Sequence, residues 1–234
     1  MTPASQFHRH AGSYDRYNIV QTRVARYLAS RVAGEFGRIA DIGCGSGGFF
    51  RAWGRPFSAY LAIDIAPGML ARHPDGPGVE KIRGDFDDGA LYGRIEAWRP
   101  DLVVSSSALQ WSKDLDAALG RIADLGRPVA LALFCDGTFA SLRQAAQTPS
   151  PIRGREETIS LLAKHFDAHI GELRYRLYFQ DKLALFRYIK RSGVSGGRRM
   201  LDYGAARRLV REYPHSFLEF EIVYAVSRAV FTGL

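Results

Sequence analysis

The sequence predicts an α/β protein: a mostly parallel seven-stranded sheet with helices on both faces and an antiparallel pair of strands at its C-terminal end. Three observations carry that prediction. Five short apolar runs, at 38–42, 60–65, 79–83, 101–104 and 129–134, are separated by segments long enough for crossovers, as parallel strands covered on both faces require. The segment before them and the one between the last two repeat at the helical period. The last third instead alternates apolar and polar residues strictly, the mark of half-exposed antiparallel strands.

In chain order, residues 14–33 form the first expected helix. Tyr17, Val20, Val24, Tyr27, Leu28 and Val32 fall on one face, and Gly34 suits the C-terminal end. Between the fourth and fifth runs, Leu115, Leu119, Ile122 and Leu125 line another helical face that ends in Gly126. Leu173, Tyr175, Leu177 and Phe179 then alternate with Arg174, Arg176 and Tyr178, and Leu218, Phe220, Ile222 and Tyr224 repeat the pattern. Segments 138–168 and 182–212 read as helical, broken at Pro149-Ser150-Pro151 and Ser195-Gly196-Gly197. One domain spanning 1–234 is expected, with the last third a possible lid or partner surface.

Composition excludes several function classes. The N-terminal stretch has no apolar core of signal-peptide type, and no run approaches the roughly 18 residues of a membrane span, so a cytoplasmic protein without a membrane anchor is expected. Cys44 and Cys135 make no C-x-x-C, which removes a zinc ribbon or a disulfide framework. His165 and His169 have the i, i+4 spacing of a helical metal pair but no third ligand nearby, and are expected as an exposed helical pair, with no metal. A formal charge of +8 draws the surface toward an acidic partner.

The chemistry begins after the first run, at Asp41-Ile42-Gly43-Cys44-Gly45-Ser46-Gly47-Gly48. This contains the spacing of a dinucleotide loop, but a pyrophosphate on its amides would meet Asp41 as a like charge. Asp41 suits an ammonium instead, which points to a ligand joining an amino-acid end to a nucleoside: S-adenosylmethionine (SAM). Asp64 ends the second run and suits the ribose hydroxyls, in a segment that adds Ile65 and Met69 as cofactor-binding candidates. Asp85 after the third run offers a carboxylate to an exocyclic amine, and Phe86 an aromatic face to the purine. With Gly43, Gly45 and Gly47, three acids at three successive strand ends are a far more specific signal than the loop alone.

After the fourth run comes Ser105-Ser106-Ser107-Ala108-Leu109-Gln110-Trp111, which contains no acid, base or metal ligand. ADIGCGSG, AIDIAPGML, RGDF and SSSALQW resemble the motifs of class I SAM-dependent methyltransferases, which have a Rossmann-like fold. Together with FHRHAGSYDRYNIVQTRVARYL, LFCDGTFASL and LFRYIKRSGVSGG they resemble, over nearly the whole chain, the malonyl-acyl carrier protein O-methyltransferases of biotin synthesis, the BioC type. A short 147–155 loop, a compact 71–79 segment and the three serines depart from that pattern.

The resemblance implies an O-methyltransferase that esterifies the free carboxylate of a malonyl thioester, leaving S-adenosylhomocysteine as product and using no metal. A carboxylate is already ionised at neutral pH, so the missing base is consistent with an acid acceptor, and the hydroxyls of Ser105, Ser106 and Ser107 can bond the methionine end or orient the acceptor, Ser105 being taken as the cofactor-binding candidate. Gln110 and Trp111 form a polar and aromatic edge for the acceptor, and Tyr14 resembles the aromatic that this family lays over the cofactor. Arg143 ranks first among cations able to hold the acceptor's carboxylate, ahead of Lys113, Arg187 and Arg191. The basic stretch with Arg187, Arg191, Arg198, Arg199, Arg207 and Arg208 suits an acidic acyl carrier protein. Three alternatives stay open: methylation of a free small acid, as in trans-aconitate methyltransferases; an assembly protein of this fold without methyl transfer; and RNA methylation. The last is weakened by the lack of an Asn/Asp-Pro-Pro-Tyr/Phe acceptor motif.

Overall fold

A computed structural model describes residues 18–191 and 209–233. Seven strands form one sheet in the order β3-β2-β1-β4-β5-β7-β6. They are β1 (Arg38–Ile42), β2 (Ala59–Asp64), β3 (Val79–Arg83), β4 (Leu102–Ser106), β5 (Val129–Phe134), β6 (Ala168–Tyr178) and β7 (Phe217–Ser227). The first five are parallel, whereas β7 runs antiparallel to both β5 and β6. Chain direction reverses its order across the sheet between β1 and β4, and the C-terminal ends of these strands open a crevice there, the usual ligand position in such sheets.

The alternation of side chains along each strand divides the core in two. Ile39, Tyr60, Ala62, Val104 and Ala132 face one side, covered by α1 (Ile19–Ser30) and α2 (Gly48–Trp53) through Val20, Val24, Leu28, Phe49 and Trp53. Ile42, Leu61, Ile63, Val103 and Leu131 face the other. There they meet Leu91 and Ile95 of α4 (Gly89–Trp98), Leu115, Leu119 and Ile122 of α5 (Leu115–Asp124), and Leu162 of α7 (Arg155–His165). Shorter helices α3 (Pro67–Leu70) and α6 (Ala140–Ala146) follow β2 and β5, and α8 (Lys182–Arg191) follows β6.

The first helix begins at Ile19 within the described residues, and the expected stretch 14–17 lies outside them. Strand β4 runs to Ser106, two residues past the apolar run, because Ser105 and Ser106 keep pairing with Leu131 and Ala132 of β5. The expected helical pair of His165 and His169 is corrected. Helix α7 ends at His165 and β6 starts at Ala168, so His169 sits on a strand, where its ring stacks on Phe231 at 3.9 Å. His165 instead contacts Asp116 at 2.6 Å. Among the described residues no group of His, Cys, Asp or Glu could hold a metal ion, and no helix is long and apolar enough to cross a membrane.

Candidate active site

The crevice leads into a cavity between the loop after β1, the ends of β2 and β4, and the start of α1. Its floor is the loop between β1 and α2, which needs glycine for three different reasons. At Gly43 (φ 73°) a Cβ would collide with the Cβ of Ala108, so glycine lets the first loop lie against the segment after β4. At Gly47 (φ 89°) it would come within 2.6 Å of Pro74 Cδ. At Gly45 (φ 55°) a Cβ would meet nothing within 4 Å, and the residue borders the cavity, so its bare backbone leaves room for a ligand.

Asp41 closes β1 on the α1 side of the sheet and is 1% exposed. The parallel register pairs Ile39 with Tyr60 and Asp41 with Ala62, which brings the Tyr60 hydroxyl to Asp41 Oδ2 at 2.7 Å. Among the described residues Oδ1 has no hydrogen-bond partner. Burial raises the Asp41 pKa to about 7, opposed by the Tyr60 hydrogen bond and assisted by the charge of Asp64. Burial also pushes the Cys44 thiol well up, which makes it a poor nucleophile. Asp64 accepts from the backbone N–H of Gly45 (2.9 Å) and of Ala66 (2.8 Å), one on each oxygen. A carboxylate has about four lone-pair sites, so each oxygen keeps room for one more donor. Burial raises its pKa against those backbone bonds.

Of the residues singled out from sequence, Asp41, Gly43, Gly45, Asp64, Ile65, Met69, Phe86 and Trp111 line the cavity. Gly47 does not; its N–H turns back to the carbonyl of Cys44. Asp85 stands behind the wall, with Oδ1 accepting from the Asp87 N–H. Ser105 is fully buried and donates to the Ile42 carbonyl at 2.7 Å, so it serves the sheet. Gln110 lies beneath the wall and donates from Nε2 to the Ser107 carbonyl at 2.8 Å. Arg143 does not line the cavity; it is buried on α6, donates to the Thr138 carbonyl, and has its pKa lowered by that burial. Tyr14, Arg198, Arg199, Arg207 and Arg208 lie outside the described residues, as does the side chain of Arg191; Arg187 is exposed on α8.

Sequence reasoning missed Asn18, Gln21 and Thr22 at the start of α1, and it did not separate Ser106 and Ser107, which line the cavity, from Ser105, which does not. Gln21 Oε1 and the hydroxyls of Ser106 and Ser107 are buried and have no hydrogen-bond partner among the described residues. Strand alternation could have separated the serines, since Ser106 shares the face of Val104 and Ser105 that of Val103. Ser107 also holds a left-handed backbone, φ 66°, that a serine adopts only at some cost. Among the described lining residues there are two carboxylates and no Lys, Arg or His.

Unpaired buried acceptors, two carboxylates and a glycine cradle fit a ligand with a cationic amino-acid end and a nucleoside. This site at the C-terminal ends of the strands, with the sheet order around it, defines the class: a SAM-dependent class I methyltransferase. A family model described as a methyltransferase domain matches residues 40–131. A malonyl-acyl carrier protein O-methyltransferase of Geobacter sulfurreducens is 32% identical, the match covering 88% of this chain and 85% of that protein. One of Pectobacterium atrosepticum is 30% identical over 82% of this chain and 78% of its own. The chain belongs to the malonyl-acyl carrier protein O-methyltransferase family. Solved structures share the fold: the YcgJ protein of Bacillus subtilis superposes with a TM-score of 0.58 at 14% identity, covering 90% of this chain and 99% of its own.

Proposed function

We propose that this enzyme transfers the methyl group of SAM to the free carboxylate of a malonyl group carried by acyl carrier protein. The observation that carries the reading is the acceptor wall after β4, where Ser106, Ser107, Ala108 and Trp111 offer hydroxyls and an aromatic but no base. An amine or alcohol acceptor must lose a proton, whereas a carboxylate attacks as it stands. The kinship with malonyl-acyl carrier protein O-methyltransferases supports the same acceptor.

When bound, SAM supplies an electrophilic methyl on a sulfonium; a carboxylate oxygen displaces the thioether, giving a methyl ester and S-adenosylhomocysteine. The protein's part is alignment and exclusion of water. In this reading Asp41 Oδ1 takes the ammonium, Asp64 takes the ribose hydroxyls on its spare lone pairs, and Phe86 packs on the purine between Ile65 and Met69. Ser106 and Ser107 turn their free hydroxyls to the methionine end or the acceptor, and Trp111 walls the acceptor side. Esterification cancels the acceptor's charge, so that a fatty-acid elongation system accepts the chain as an apolar primer. The exposed Arg187 on α8, and Arg174 and Arg176 on β6, support docking of an acidic carrier.

The test supplies methyl-labelled SAM with malonyl- or acetyl-acyl carrier protein. Label is expected in the malonyl form alone. Equal labelling of both would overturn the carboxylate assignment, and efficient labelling of free malonate or trans-aconitate would replace the carrier with a small acid.

A further inference from the structure

Trp111 ends a short 3-10 turn, Leu109–Trp111, and the two residues that follow it are gripped from both sides. Asp87, in the loop after β3, accepts from the Ser112 hydroxyl at 2.6 Å and from the Lys113 N–H at 3.1 Å. Arg153, in the loop before α7, donates to the Ser112 carbonyl at 2.9 Å and to the Lys113 carbonyl at 3.1 Å. One acid thus takes the donors of Ser112 and Lys113 while one guanidinium takes their acceptors, a fork that only arginine presents.

Both clamps are themselves held. The Asp87 N–H bonds to Asp85, the Asp87 carbonyl accepts from Arg121, and Glu157 lies 3.4 Å from Arg153 Nε. The Arg153 carbonyl accepts from the Asp136 N–H just after β5. Ser112 is 5% exposed, so its polar groups would be left unsatisfied in a dry place if either clamp were removed. Neither Asp87 nor Arg153 lines the cavity, whereas Trp111 does.

We infer that Asp87 and Arg153 are positioning residues for the methyl acceptor, holding Trp111 against the cavity by fixing the two residues behind it. The inference rests on the reading of this cavity as the transfer site. Displacing a substrate-facing wall by about 1 Å can cost on the order of 100-fold in rate. The clasp should therefore govern acceptor use while leaving SAM binding alone.

The experiment labels the full chain with 5-fluorotryptophan and assigns the fluorine signals of Trp111 and Trp98 from W111F and W98F, which leaves that of Trp53. D87A and R153A are each expected to broaden or shift the Trp111 signal and leave that of Trp53 in place. With malonyl-acyl carrier protein they should lower kcat/KM by about 10- to 100-fold with an unchanged SAM Kd, and D87N should recover most of the loss. The double variant should be little worse than either single one, because both act through one element. S112A, which removes a single donor, provides a milder variant expected to act in the same direction. An unmoved Trp111 signal in a folded D87A or R153A protein overturns the inference, as does a loss confined to SAM affinity. The fluorine signals need no acceptor, so failure of the acceptor assignment and failure of the clasp are told apart.

Discussion

Tyr60 donates a 2.7 Å hydrogen bond to one oxygen of Asp41 and leaves the other oxygen without a partner among the described residues. The carboxyl group is buried and has its pKa raised to about 7, so without a cation beside it part of it is protonated near neutral pH. A cation prefers the ionised form. SAM binding is therefore expected to release a proton and to tighten as pH rises, by up to about tenfold per unit below the midpoint and little above it. The charge of Asp64, on the next strand end, raises the Asp41 pKa further. Y60F removes the one bond that favours the ionised form, so its midpoint should move to higher pH. Calorimetry in two buffers of different ionisation enthalpy measures the proton directly. Equal SAM affinity from about pH 6 to 8 in wild type would remove Asp41 from the ammonium site.

The same carboxyl group should cost stability. Its folded pKa lies above the unfolded value of 3.8, so between these the folded protein holds more protons and stability falls as pH rises. Above about pH 7 that cost is fully present. D41N keeps an oxygen for Tyr60 and carries no charge. It is expected to raise the Tm of the ligand-free protein at pH 8 while losing most of the thermal shift that SAM gives wild type. A lower Tm for D41N at that pH would contradict the sign.

Asp64 and Gly45 test the nucleoside end. D64A removes two backbone hydrogen bonds as well as the expected ribose bonds, and should weaken SAM by roughly 1–3 kcal/mol. G45A and G47A separate ligand room from packing. Both have positive φ, at a backbone cost of about 1 kcal/mol each, but only at Gly47 does the new methyl strike protein, at Pro74. G47A should thus lose more stability, and G45A more SAM affinity relative to its loss of Tm. Titration and thermal melts of the pair measure both.

How much of this was written legibly in the chain depends on which force decides each position. The runs at 38–42 and 129–134 coincide with β1 and β5 because burial on both faces demands nearly unbroken hydrophobicity, whereas 79–83 forms β3 as an edge strand that keeps Glu80 and Arg83 exposed. The eleven-residue strands β6 and β7 were legible through their alternation. Ser105 and Ser106 were not legible as strand, since their low propensity is overridden by partners on β5. Asp41, Asp64 and Phe86 could be placed at the cavity because a strand end in such a sheet has a fixed position. Tyr60 could not, because an aromatic inside an apolar strand reads as core until the register shows Asp41 beside it. The surroundings of Arg143 were not legible for a related reason: its place just after β5 says which end of the sheet it occupies, and only packing says that it turns toward Thr138.

The three serines make the sharpest comparison, since identical chemistry meets three environments. Ser105 satisfies the buried Ile42 carbonyl, so S105A should cost about 1–2 kcal/mol of stability and leave kinetic constants close to wild type. Ser106 and Ser107 carry buried hydroxyls without a partner among the described residues, so S106A and S107A should leave stability nearly unchanged or slightly higher. Their loss should fall on SAM affinity or on kcat, by about 3- to 30-fold for one lost hydrogen bond. At Ser107, with φ 66°, glycine removes the hydroxyl and relieves the backbone together. S107G should therefore be more stable than S107A yet no more active. Thermal melts with steady-state kinetics on the four variants decide it. Recovery of activity in S107G would show that the backbone conformation, and not the hydroxyl, is what the site requires of this residue.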